Sequence, residues 1–483
     1  MWRTGSLPVI FSARIDHAAQ PDGPRPYMLS AMSNRLKGEG IAARVMRGSA
    51  LTVMGYGASM VLRLGSNLIL TRLLFPEAFG LMAIVSLFLT GLQMFSDIGL
   101  QTGIVRSKRG NDPVFLNTCW TMQIMRGAIL AAIAVAISGP AARFYEEPML
   151  EEMLYVVAFV AFVIGFKSTR IATANKKILL GRLTMMDLAC QVLSIIAMIV
   201  LAYLLESVWA LVIGMVVQNI SKTVLSHLVL PGHPNRLQLE RDAFMEQFHF
   251  GKYLFVSSGL TFIIENGDRI LLSKFLTLAY LGFFKIAFFF AVLPVTLMGQ
   301  FVHRVVFPLY SARPPMESEA NRKAIRKTRF ALTGAMLFML FVIGLLGQWM
   351  VEFMYTEEYW EAGPILVLLT VSLMPMLIIR TYPIFLLSLG KSGVYMGFQI
   401  LRAVLQTGFL ALGLLNYGVV GALAAQPVAT LLMYPVLIWM IRPYKGHDFL
   451  HDIVFATLAL LFAFTILWVN DEALARVMAI PVG

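Results

Sequence analysis

Arg63, Arg126, Glu265, Asp268, Arg269, Lys285, Arg380 and Arg402 sit inside long apolar runs of this chain. A charge at mid-bilayer costs about 2.5–3.5 kcal/mol on insertion scales, so such groups normally face a bundle interior or a wet cavity. Ser59, Arg63 and Asn67 recur every four residues, which makes one polar stripe on a helix. Ser258, Glu265, Asp268 and Arg269 share a face in a later run. Basic groups outnumber acidic ones at depth, and a guanidinium suits phosphate oxygens because its fork donates two parallel N–H bonds. The chemistry implied is non-covalent recognition of an anionic, phosphate-bearing ligand. Simpler roles compete for several of these residues. Glu265 and Arg269 stand four apart and can neutralise each other. Lys285 and Arg380 lie close enough to span ends to snorkel. Asp97 and Asp187 read as caps or partners within a lobe.

Motifs for covalent chemistry or nucleotide binding are missing from the sequence. Gly390-Lys391-Ser392 ends like a phosphate-binding loop, but Phe385 stands where its leading glycine belongs. There is no H-E-x-x-H, no G-x-S-x-G and no metal-ligand spacing, so neither a cofactor nor a metal is expected. Cys119 and Cys190 each fall inside an apolar run and read as packed thiols. The expected protein is not an enzyme, and any transport would draw on a cation gradient or the membrane potential.

The elements that must position these charges follow from composition. Of 483 residues, 58% are hydrophobic and only 14% charged, against about 45–50% and 25% in soluble domains. The mean hydropathy is +0.75. Apolar runs lie near 50–72, 79–103, 116–138, 150–168, 183–204 and 208–230, then 249–275, 279–303, 328–350, 363–388, 393–414 and 418–441, with a last one at 450–469. Each approaches the roughly 20 residues a helix needs to span hydrocarbon, whereas barrel strands would be shorter and alternating. The fold class is an all-α polytopic membrane protein of two six-helix bundles around a central cavity, plus one extra C-terminal helix.

The net charge of +12 resides in the short gaps, the pattern of cytoplasmic loops rather than of a nucleic-acid surface. Arg106, Lys108 and Arg109, then Lys176, Lys177 and Arg182, then Arg322 to Arg329 mark inner loops. Glu146, Glu147, Glu151 and Glu152, and later Glu352, Glu357, Glu358 and Glu361, mark outer ones. The N-terminus is therefore expected in the cytoplasm, with residues 1–48 a tail that lacks a packed core. Met28 and Met32 are alternative starts, and Asn34–Arg47 is a candidate basic surface helix.

Residues 265–286 resemble the segment 202 positions earlier: Gly267 falls on Gly65, Leu276 on Leu74, Gly282 on Gly80 and Ile286 on Ile84. The shift also lays Glu265 on Arg63, so the two helices would place opposite charges at similar depth. A parallel repeat predicts two lobes, 49–230 and 248–445, joined by a linker at 231–247 and followed by an appended helix and tail at 446–483.

The segment RLLFPEAFGLMAIVSLFLTGLQMFSDIGL (Arg72 to Leu100), with SVWALVIG, ENGDRILL, YLGFFKIA and VVFPLYS further on, resembles the polysaccharide flippases of the multidrug/oligosaccharidyl-lipid/polysaccharide (MOP) superfamily. That resemblance covers residues 50–445 and implies two six-helix lobes around a V-shaped cavity. It further implies movement of an undecaprenyl-diphosphate-linked oligosaccharide across a bacterial cytoplasmic membrane, beside polymerase and glycosyltransferase partners. The rival expectations are a drug or cation extruder of the same superfamily, which would want excess acidic groups, and a membrane-bound polymerase or ligase, which would want a large outer loop.

Overall fold

The computed structural model describes residues 41–480, and no strand occurs among them. Residues 1–40 of the expected tail, with its alternative starts and the first part of the expected surface helix, lie outside the described residues, and the rest of the tail opens the first helix. In chain order the helices are α1 (Ile41–Leu70), α2 (Pro76–Met94), α3 (Leu100–Arg106), α4 (Pro113–Tyr145), α5 (Met149–Gly165), α6 (Arg170–Lys176), α7 (Leu180–Leu205) and α8 (Trp209–Leu228). After the linker come α9 (Arg241–Phe275), α10 (Leu278–Ala291), α11 (Leu293–Phe301), a π-helical turn (Val302–Val306) and α12 (Phe307–Ala312). The chain ends with α13 (Glu319–Leu345), α14 (Gly347–Met354), α15 (Ala362–Ile379), α16 (Tyr382–Ser388), α17 (Ser392–Ile441), α18 (Phe449–Val469) and α19 (Asp471–Met478).

Eight described helices are long and apolar enough to cross a membrane, or up to ten if each of two bent pairs is one span. The protein is therefore a multi-pass, all-α membrane protein. One stretch, α17, folds back on itself at Gly418, whose φ of 61° and ψ of −146° suit only a residue without a β-carbon. The helices α1 and α9, 30 and 35 residues long, lie outside the set of eight. They carry the two polar stripes. The linker is shorter than expected, because α9 already begins at Arg241.

Local chemistry sets the helix starts. Asp112 accepts from the Val114 N–H and Pro113 opens α4, Thr277 caps α10, and Ser318 caps α13. Proline explains the breaks as well. Pro294 follows the 41° bend between α10 and α11, and Pro383 opens α16 after the chain turns at Arg380-Thr381.

The thirteenth hydrophobic run packs against the rest of the bundle. Helix α18 is pinned to α13 and α16 by a buried polar cluster. Asp452 accepts from Tyr382 Oη at 2.6 Å and from Tyr434 Oη at 2.8 Å, and Arg329 Nη2 lies 3.3 Å away. The Arg329 guanidinium stacks over the Tyr382 ring at 3.9 Å and donates to Thr381 Oγ1, while His451 bridges Asp452 and Thr333. Arg329 is only 1% exposed, although its sequence position read as an inner-loop charge. Helix α19 then folds back, burying Ala473 and Val477. Removing one partner of a buried ion pair strands the other, a cost of about 3–5 kcal/mol. Asp452→Ala is expected to lower the melting temperature in detergent sharply, by more than Arg326→Ala, whose Asp448 pair is half-exposed. Equal, small shifts in both would show that the cluster does not hold α18.

Candidate functional site

Helices α2 and α10 cross in close contact, and each approach requires a glycine. A β-carbon on Gly80 would overlap the Leu278 carbonyl, and one on Gly282 would overlap the Pro76 carbonyl. These two contacts are exchanged by the 202-residue shift. Around the crossing, Tyr359 Oη donates to the Leu74 carbonyl at 2.5 Å, and Lys274 reaches both Glu146 (2.9 Å) and the Phe144 carbonyl (2.8 Å). The end bearing the acidic loops is thus sealed by helix packing and by bonds across the chain's two halves. Lys274 donates a hydrogen bond to Glu146 and holds that carboxyl below its ordinary range.

A cavity of about 770 Å³ lies away from this seal. Helix α2 lines it only through Thr90 and Met94 in its last turns, while α10, α11 and the π turn line it from Phe288 to His303. Helix α9 sets Thr261, Glu265 and Asp268 at i, i+4 and i+7 along one wall. Helix α17 sets Tyr395, Gln399, Arg402 and Gln406 on another, again at helical spacing. Arg380 enters from the break between α15 and α16. The π turn at Val302–Val306 is the kind of local irregularity often found beside functional sites.

Three guanidiniums therefore share this cavity: Arg269, Arg380 and Arg402. Arg402 Nη2 has Met376 Sδ as a neighbour at 4.0 Å. Arg269 stacks on the Phe288 ring at 4.9 Å and reaches Asn266 Oδ1 at 3.3 Å. Among the described residues it forms no ion pair with Glu265, four residues back. Asp268 accepts the backbone N–H of Arg269 at 2.9 Å.

Other sequence candidates go elsewhere. Arg126 donates to the Gln93 carbonyl (2.6 Å) and to Ser96 Oγ (3.0 Å) beside a smaller cavity of about 350 Å³ that also takes in Asp97 and Lys167. Lys285 lies over the Phe79 ring at 5.7 Å, where it ties α10 to α2. The stripe on α1 divides: Ser59 turns to Gln191 of α7 at 2.6 Å, while Arg63 is exposed and Asn67 half-buried. Neither Arg63 nor Asn67 lines the large cavity. As expected, Asp97 caps Gly99 N–H (2.8 Å), Asp187 pairs with Lys222 (2.7 Å), and both cysteines are buried free thiols.

Sequence reasoning missed the rest of the cavity's polar lining: Gln300, His303, Gln399, Gln406 and Gln426. The signal was present in Gln399, Arg402 and Gln406, which follow the same spacing as a charged stripe. At the basic end, Arg109 bonds Asp112 (2.8 Å) and Glu240 (2.6 Å), which latches the linker. The Arg109 hydrogen bond holds the Asp112 carboxyl below its usual range. Its contribution is therefore present at neutral pH and lost only as pH falls through that lowered value.

The family model described as "Polysaccharide biosynthesis protein" matches residues 69–364. The chain belongs to that family. Relatives of the polysaccharide biosynthesis protein family include the succinoglycan biosynthesis transport protein ExoT of Rhizobium meliloti (strain 1021), 21% identical over 387 residues, or 79% of this chain and 77% of ExoT. The lipopolysaccharide biosynthesis protein WzxC of Escherichia coli (strain K12) is 19% identical over 79% of this chain and 77% of its own. The match to the teichuronic acid biosynthesis protein TuaB of Bacillus subtilis (strain 168), at 22% identity, spans 58% of each chain. Among solved structures, the lipid II flippase MurJ in an inward closed conformation aligns with a TM-score of 0.66 at 14% identity, covering 89% of this chain and 96% of that one. An inward-facing multidrug resistance MATE transporter of the MOP superfamily aligns at 0.60 and 14% identity, over 81% and 96%. The fold is that of MOP-superfamily transporters, as the sequence motifs implied.

Proposed function

We propose that this protein flips a polyprenyl-diphosphate-linked oligosaccharide across a bacterial cytoplasmic membrane, for assembly of an exopolysaccharide or lipopolysaccharide. The observation that carries this reading is the cavity in which Arg380 and Arg402, with no ion pair among the described residues, stand among glutamines. Guanidiniums can grip the diphosphate and amides can hydrogen-bond the sugars, while the polyprenyl tail stays in the bilayer. The charge of the basic loops supports a cavity mouth on the cytoplasmic side, with the N-terminus, and a sealed acidic end facing outward. The exchange of the Gly80 and Gly282 contacts under the 202-residue shift supports two lobes that rock about this crossing. Export of an anion runs down an inside-negative potential, worth about 2.3 kcal/mol per charge per 100 mV, so the potential alone can drive the cargo outward.

The test is transbilayer movement of a fluorescent undecaprenyl-diphospho-oligosaccharide in liposomes holding the purified protein. The lipid is expected to cross, faster with the mouth-side compartment negative. Glu265 and Asp268 in the same cavity favour one second reading, a cation extruder. A stationary lipid with a cationic dye moving under an ion gradient would establish that reading instead.

A further inference from the structure

The smaller cavity, of about 350 Å³, is built from the end of α2, the start of α3, the middle of α4, the end of α5 and Lys167 just beyond it. It shares Met94 with the large cavity but takes no residue from α9 or α17. Packing of α4 against α5 assembles it. Gln123 Nε2 donates to the Ile164, Gly165 and Lys167 carbonyls at 3.2, 3.1 and 2.9 Å. Gly127, one turn further along α4, lets the two backbones close up, since a β-carbon there would sit 3.0 Å from the Gly165 Cα. These contacts bring Lys167 to the same cavity as Arg126.

The charges in this cavity do not balance. Arg126 directs Nε and Nη2 at neutral acceptors, Ser96 Oγ and the Gln93 carbonyl, and its Nη1 has no hydrogen-bond partner among the described residues. Lys167 Nζ carries three donors and has one neutral partner, Asn219 Oδ1 at 3.3 Å. Asp97, the carboxylate in the lining, accepts the Gly99 N–H and forms no ion pair with either cation among the described residues. Two cations therefore face one carboxylate, and half-buried cations that lack a counter-ion favour an anion from outside. The rim adds neutral donors, because Gln101 and Thr102 are exposed there. None of the cavity's apolar residues is exposed, so an acyl chain finds no apolar rim to lie on. A water takes up about 30 Å³ in the liquid, which leaves room here for a polyatomic ion together with several waters.

From these features we infer that the cavity is a second anion site, separate from the cargo cavity, and that it takes a free inorganic oxyanion of the phosphate class between Arg126 and Lys167. The guanidinium presents Nη1 to one oxygen and the ammonium reaches another. Arg126 already joins α4 to the end of α2, and Lys167 joins the end of α5 to Asn219 of α8. A bound anion would tie these four helices together. The inference stands independently of the flippase reading.

The test is the melting temperature of the full-length protein in detergent, with inorganic phosphate added at constant ionic strength and chloride as the reference anion. Phosphate is expected to raise it saturably by several degrees, because a ligand that binds only the folded state stabilises that state. The arginines of the large cavity also attract phosphate, so Arg380→Gln/Arg402→Gln is the control and should keep most of the rise. Lys167→Gln should abolish the rise and Lys167→Arg should restore it. Arg126→Gln should lose it too, from whatever baseline its bonds to α2 leave. The readout is the shift within each variant, so a lower starting temperature does not mimic the loss. A rise that survives Lys167→Gln but disappears in Arg380→Gln/Arg402→Gln would overturn the inference, as would equal protection by chloride. Protection by phosphatidylglycerol micelles where inorganic phosphate gives none would overturn the free ion in favour of a lipid headgroup.

Discussion

Arg402→Gln is expected to cut the flipping rate by about ten- to a hundredfold, with Arg402→Lys falling between it and the wild type. The range follows from the strength of a hydrogen bond to a charged group, about 1.5–3 kcal/mol, at about 1.4 kcal/mol per factor of ten. Arg402 belongs at the upper end for structural reasons. It projects from α17 between Gln399 and Gln406, and its recorded neighbour is the Met376 thioether rather than a carboxylate. A guanidinium held in an apolar bundle without an ion pair is poised for an anion from outside the protein. Lysine keeps the charge but loses the planar fork, so it should restore encounter with the diphosphate but not its two-point grip. Glutamine keeps most of the volume, which separates loss of charge from loss of packing. The measurement is initial flipping rate in proteoliposomes, with binding of the lipid to detergent-solubilised protein as a companion. Wild-type flipping by Arg402→Gln would remove this residue from the cargo path. Arg126→Gln sets the comparison: its guanidinium is already bonded to Gln93 and Ser96, so its loss should act on helix packing rather than on affinity.

The all-helical fold, the multi-pass character and the family could be read from the sequence because hydropathy over 20 residues reports directly on the bilayer. Charge within a span says that a residue avoids lipid, but not which interior it faces. Arg63 and Arg402 looked alike for this reason, yet only Arg402 reaches the large cavity. The stripe of Ser59, Arg63 and Asn67 divides because Ser59 finds a long-range partner, Gln191, that no local spacing encodes. Arg329 was misread in the other direction. Its position beside Arg326 and Lys327 resembled a loop, whereas α13 starts a full ten residues earlier and carries it into the core. The partners that bury it, Tyr382, His451 and Asp452, lie more than 50 residues away in sequence, so only the packing of α18 reveals the site. Neutral glutamines escaped notice because they cost less to insert than charges and so stand out less, although they make up much of the polar lining.

A clamp across the sealed end should stop transport completely while leaving cargo binding in place. Lys274 and Glu146 meet there at 2.9 Å between charged atoms, one on α9 and the other at the end of α4. Replacing both by cysteine, with Cys119 and Cys190 changed to alanine, gives a single addressable pair. Two long side chains that meet at their tips have backbones too far apart for a direct disulfide, which needs Cα atoms within about 7 Å. A bifunctional methanethiosulfonate of about 10 Å reach spans the gap and can be cleaved by reductant, a choice dictated by that same limit. If the cargo enters at the basic end and leaves at the acidic end, the sealed state must open where Gly80 meets Leu278 and Gly282 meets Pro76. The linked protein should then bind the lipid diphosphate as before but flip it at less than about a tenth of the unlinked rate, with full recovery on reduction. Modification of either single cysteine should leave flipping near the level of the unmodified variant, because the ion pair itself is exposed on its Glu146 side and contributes little. Unimpaired flipping by the linked protein would mean that the acidic end does not part during transport. The cargo would then have to pass along the flank of the bundle, and the cavity would serve for binding alone.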